Sequence, residues 1–90
     1  MPTIEEMKVY LGIDGGLLDP LLADLIRQAQ EIIEKTLRFS LNDFDEVPAT
    51  IKETAKYIIS TYYNNRETTN AREVENNVAV LLSEYRKQGF

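Results

Sequence analysis

The stretch from Pro48 to Glu67, PATIKETAKYIISTYYNNRE, constrains this chain more than any other. Its apolar residues Ile51, Ala55, Ile58 and Tyr62 recur at steps of four, three and four, which places them on one face of an α-helix. At ~1.5 Å per residue the helix is about 28 Å long. Tyr57 and Tyr63 fall outside that stripe, on opposite flanks. One element therefore carries a core face and two aromatic edges that can serve packing or a partner equally well.

The remaining chain punctuates itself into three more helices. Thr3-Ile4-Glu5-Glu6 is a capping box, in which the Thr3 hydroxyl accepts a backbone N–H and Glu6 reaches back. Ile4, Met7 and either Tyr10 or Leu11 form the buried edge of this first helix, and Gly12 ends it. Residues 12–20 make a turn around Gly15-Gly16. Asp19 is the expected N-cap of the second helix and Pro20 its first residue. That helix runs to about Leu37. Its broad apolar face comprises Leu22, Leu25, Ile26, Ala29, Ile32, Ile33 and Leu37, widened by Leu21, which suits contact with more than one neighbour. Arg27–Glu31 and Glu31–Lys35 stand at ion-pair spacing on the other side.

Residues 38–47 form the longest irregular connection, with Leu41 and Phe44 as its anchors to the core. The third helix starts either with Pro48 at its first position or with Thr50-x-x-Glu53 as a second capping box. It ends near Asn64–Arg66. Residues 67–72 read as a polar loop. A fourth helix begins between 70 and 76 and reaches about Lys87, with Val74, Val78, Leu81, Leu82 and Tyr85 facing inward and Val80 nearly opposite. Gly89-Phe90 is the expected free tail. No segment alternates as a half-buried strand does, and no repeat is present. The expectation is an all-α fold: residues 1–90 as one domain, a compact bundle of two long and two shorter helices.

The side-chain inventory removes most chemistry. The 90 residues contain no Cys and no His, so thiolate sites, disulfides and the commonest general base are absent. The acids Asp43, Asp45 and Glu46 resemble a calcium loop only superficially, because the central Gly and distal Glu are missing. The glycines at 12–16 lack the preceding strand and the Lys-Ser/Thr of a phosphate loop. Scattered carboxylates on so small a bundle offer no cleft for acid–base catalysis. The expectations are no enzyme, no cofactor and no metal. With Lys+Arg 10 against Asp+Glu 15, net charge -5, the cation surplus that drives tight non-specific DNA binding is also missing. No apolar run is long enough for a membrane span, so a soluble protein of the cytoplasm is the default expectation.

Taken in order, these stretches resemble the phage head–tail connector family, also called head-completion adaptors or DNA-packaging connectors. The similarity begins with Ile4, Lys8 and Leu11, continues through Ile13-Asp14 and the glycine turn, and takes in Asp19, Leu22, Leu25-Ile26, Ala29 and Ile33-Glu34. It resumes at Val47-Pro48, Ile51-Lys52, Ala55 and Tyr63-x-x-Arg66-Glu67, and closes on Val78, Leu81-Leu82 and Tyr85-Arg86. One segment departs. Family members often have an extended piece with a Pro-Phe-Gly-like turn where this chain has Glu75-Asn76-Asn77.

The resemblance implies a structural virion protein that forms a ring, dodecameric like the portal beneath which it sits. Such a ring extends the DNA channel and receives a stopper or tail-joining protein. It implies a place in the virion neck, reached after assembly in the host cytoplasm. DNA would pass through without specific binding, and no membrane is involved. Expected contacts with neighbouring subunits or partners are Tyr57, Tyr63, Arg66, Glu67, Val80, Arg86 and Phe90, with Ser83–Phe90 docking on the portal. Two other readings stay open on the residues alone. A DNA-binding regulator of helix-turn-helix type would need clustered cations on one helix, whereas the third helix alternates Lys52, Glu53 and Lys56. A cytoplasmic module that binds another protein's helix is the second.

Overall fold

In a computed structural model, which describes residues 1–65 and 70–83, the chain is all-helical. Among the described residues it forms α1 (Ile4–Leu11), α2 (Asp19–Leu37), α3 (Ala49–Asn64) and α4 (Ala71–Leu81), with one 3-10 turn at Leu41–Asp43 and no strand. α2 and α3 are the long pair and form the most extensive helix–helix contact. α1 docks on α2, whereas α4 packs against both α2 and α3. The Cα envelope measures 44 × 31 × 16 Å. Its short dimension is about that of two helices packed side by side at 8–10 Å, so each helix keeps an outward surface.

The core follows the helical stripes. Leu22, Leu25, Ala29, Ile33 and Leu37 of α2 are buried, as are Ile51, Ala55 and Ile58 of α3 and Val74 and Val78 of α4. On α1 Met7 is buried and Leu11 half-buried, while Tyr10 is exposed, which decides between the two alternatives for that edge. The α3 stripe is broader than the 4-3-4 spacing suggests. Ile59 and Thr54 are also buried, and Tyr62 is only half-buried. A helix that meets α2 on one side and α4 on another needs a wider inward arc. Thr54 fits there because its hydroxyl donates to the Thr50 carbonyl at 2.8 Å, so no polar atom is left unpaired.

Several helix ends differ from expectation for local electrostatic or steric reasons. The capping box of α1 forms as expected, with Glu6 N to Thr3 Oγ1 and Thr3 N to Glu6 Oε1 both at 3.1 Å. Gly12 closes the helix at φ +71°, a conformation that disfavours any Cβ. Asp19, however, does not cap α2. Leu18 holds that position without a side-chain cap and Asp19 is the first helical residue, because its carboxylate is engaged by Lys8 Nζ at 2.7 Å. Nor does Thr50 cap α3. Pro48 occupies the cap at φ -59° and ψ 148°, and Glu53 pairs with Lys56 at 3.4 Å instead.

On the surface of α2, Arg27 pairs with Asp24 at 3.2 Å and Lys35 crosses to Glu75 of α4 at 3.4 Å. Neither chooses Glu31, the partner that spacing alone suggested. The α2–α3 connection is held as expected by buried Leu41 and by Phe44. The Leu41 N–H donates to Glu34 Oε2 at 2.7 Å, and the Phe39 and Phe44 rings pack with centroids 5.3 Å apart.

α4 begins at once after Asn70, whose Oδ1 accepts from the N–H groups of Arg72 at 2.9 Å and Glu73 at 3.3 Å. Glu75-Asn76-Asn77 therefore lies inside a helix, not in the extended piece seen in the family pattern. The inward register is Val74, Val78, Leu82, in steps of four. That register rotates Leu81 to the flank, where it is 46% exposed, instead of leaving it in the core. The helix stops at Leu81, short of Lys87, with Leu82 N–H bonded to the Val78 carbonyl as its cap. Tyr85, assigned to the core by periodicity, lies outside the described residues.

Candidate subunit interface

Tyr57 and Val80 line one groove. Tyr57 lies on the α3 flank that faces α4, half-buried against the core. Its hydroxyl accepts a hydrogen bond from Asn77 Nδ2 at 2.9 Å. One turn further along α4, Val80 is 74% exposed. Tyr57, Asn77, Val80 and Leu81 line a shallow groove of about 400 Å³ between the two helices. Its lining is mostly apolar, and its floor is fixed by the Tyr57–Asn77 bond. A groove of this kind accepts an apolar side chain and offers one polar handle for orientation.

Tyr63 is placed differently. It is half-buried against the core and does not line the groove. Arg66, Glu67, Arg86 and Phe90 lie outside the described residues. Leu81 and Asn77 are groove residues that sequence reasoning missed. The signal for Leu81 was partial: neighbours about 100° apart share a core only on a helix with a wide inward arc, as Ile58 and Ile59 do on α3, and the narrow α4 stripe turns one of the two leucines outward. Asn77 carried no signal, since only the position of α4 on α3 brings it to Tyr57.

A second, unlike surface surrounds the end of α1. Val9 is 85% exposed, with its chain neighbour Tyr10 also outward, and Leu17 in the turn before α2 is 90% exposed. The Tyr10 ring lies under Lys56 Nζ at 5.6 Å from its centroid. An open, largely polar hollow of about 550 Å³ is lined by residues including Glu5, Lys8, Val9 and Asp14. None of these surfaces gathers catalytic groups. Among the described residues no cluster of three Asp or Glu could hold a metal ion, and no helix is long and apolar enough to cross a membrane.

Among the described residues two ionisable groups stand off their usual values, both on α1. The side-chain hydrogen bond from Lys52, whose Nζ lies 2.7 Å from Glu6 Oε2, is the main cause that lowers the Glu6 pKa from its ordinary 4.5, assisted by the Thr3 N–H. Lys8 is raised above its ordinary 10.5, chiefly by its bond to Asp19, against the opposing effect of burial. The signs are opposite in consequence. The contribution of Glu6 is complete above 4.5 and is lost as pH falls through its lowered folded value. That of Lys8 is complete below 10.5 and is lost as pH rises through its raised folded value. The window in which both ion pairs hold therefore spans neutral pH. An NMR titration of the Glu6 carboxyl is expected to show a midpoint below 4.5, and replacement of Lys52 by Met is expected to move it upward.

A sequence model of the phage gp6-like head-tail connector proteins matches residues 1–87. No curated protein and no solved structure matches the chain.

Proposed function

The chain belongs to the phage gp6-like head-tail connector protein family, and from that premise we propose that it assembles as a ring between the portal and the tail and extends the DNA channel. The family match over nearly the whole chain is the observation that carries this reading. The role is structural and its location is the virion neck. Its partners are further copies of itself, twelve to a ring in register with the portal, then the portal protein on one side and a stopper or tail-joining protein on the other.

A closed cyclic ring is built from heterologous contacts, in which one surface of a subunit meets a different surface of the next. The groove at Tyr57, Val80 and Leu81 is a recessed apolar surface of this kind. The exposed Val9 of α1 and Leu17 of the turn before α2 offer apolar surface away from that groove. Tyr63, Arg66 and Glu67 are further proposed subunit contacts, where a charge pair across subunits would fix register more than it stabilises. Arg86 and Phe90, within the segment 83–90, are the proposed portal contacts.

DNA has to slide through such a channel without sticking. A net charge of -5 per chain permits a wall lined mainly by Asp and Glu, which repels phosphate. Sedimentation of the purified chain with and without its portal tests the assembly reading. The expected result is a co-sedimenting complex with several chains per portal ring. A chain that stays monomeric in the presence of cognate portal overturns it. Strong, salt-sensitive binding of duplex DNA by the assembled ring would count against the acidic lumen.

A further inference from the structure

We infer that α1 is a latched unit, held on the α2–α3 pair by two ion pairs and able to detach while the rest of the bundle stays folded. The helix is 8 residues long, below the ~12–15 residues at which isolated helices become marginal in water. It persists through its caps and its docking, and Met7 is the one residue of α1 that is fully buried. Ile4 and Leu11 are half-buried, and Val9 and Tyr10 face outward. Leu11 and the preceding Met1 pack partly against the core, and two ion pairs complete the attachment.

Glu6 Oε2 meets Lys52 Nζ of α3, and Lys8 Nζ meets Asp19 Oδ1 at the start of α2, each at 2.7 Å. Asp19 Oδ1 is buried and has no hydrogen bond beyond that charge contact, so the ion pair is what compensates its burial. Each pair ties α1 to a different helix. The connection to α2 passes through Gly12 and Gly15, both at positive φ, and glycine backbones there reorient freely. α1 makes no extensive contact with α4, so its departure leaves the α2–α3–α4 packing intact. Few buried contacts and a short hinge are the properties of a segment that opens locally, well below the free energy of global unfolding.

Native-state hydrogen exchange on the full chain tests this inference, and it does so without portal or ring, so its failure is separate from failure of the connector reading. In the wild type, amides of 4–11 are expected to exchange faster than those of 51–62. A Glu6→Gln, Asp19→Asn double variant removes both attractions. Gln still completes a capping box, so α1 keeps its own ends. That variant is expected to speed exchange in 4–11 several-fold and leave 51–62 unchanged. Raised salt on the wild type acts in the same direction, and it serves if the variant does not fold. Equal exchange of the two segments in the wild type, or parallel acceleration of both in the variant, would mean that α1 opens only with the whole bundle and would overturn the proposal.

Discussion

Replacing Ile58 with alanine is expected to lower the midpoint of thermal unfolding by about 12–24 °C. Ile58 is fully buried at the middle of α3, the helix that contacts both α2 and α4. Truncating a buried Ile removes its transfer free energy and leaves a cavity that neighbours fill only in part, at ~2–5 kcal/mol; we take about 3. For a chain of this size each kcal/mol shifts the midpoint by roughly 4–8 °C. Total stability at ~0.05–0.15 kcal/mol per residue is about 5–13 kcal/mol, so the single change removes a large share of it. Val80→Ala on the exposed face is the control, expected within about 0.5 kcal/mol of wild type. Calorimetry reads both. A shift at Ile58 no larger than at Val80 would show that α3 is not the keystone of the core.

The prominence of α3 was legible because its burial follows from spacing. Ile51, Ala55 and Ile58 declare themselves by period alone. The caps made of consecutive residues were legible too, as Thr3 with Glu6 and Gly12 at positive φ both show. What failed were assignments whose outcome is set by a partner distant in sequence. Asp19 reads as an N-cap until α1 folds beside it and Lys8 takes its carboxylate. Lys35 reads as the partner of Glu31 until α4 brings Glu75 within reach. Leu81 reads as core because it is a leucine next to a leucine, and only the docking angle of α4 decides which of the two turns inward. The candidate interface divides in the same way. Tyr57 and Val80 were visible as residues off their stripes, but their place along one groove, and the Asn77 bond that ties its two sides, are tertiary facts.

That groove carries the second large effect. Val80→Asp is expected to abolish ring assembly on the portal while leaving the monomer fold in place. Val80 is 74% exposed and sits in the last turn of α4, so the isolated chain loses little: about 1 kcal/mol, mostly from an acid placed at the negative end of the helix. In an assembled ring the same side chain would lie against the next subunit. A carboxylate desolvated there without a partner would cost at least ~2 kcal/mol. Each 1.4 kcal/mol is about tenfold in affinity, so one contact weakens by roughly 30-fold. A ring repeats the contact at every subunit boundary, and the losses compound. Circular dichroism is expected to give superimposable spectra for variant and wild type, while sedimentation with portal shows free monomer for the variant alone. Tyr57→Phe makes a graded companion, since it deletes the Asn77 bond and keeps the ring. It is expected to weaken assembly less than Val80→Asp does. If Val80→Asp folds and assembles as the wild type does, the groove between α3 and α4 is not where subunits meet, and the surface around Val9 and Leu17 becomes the one to test.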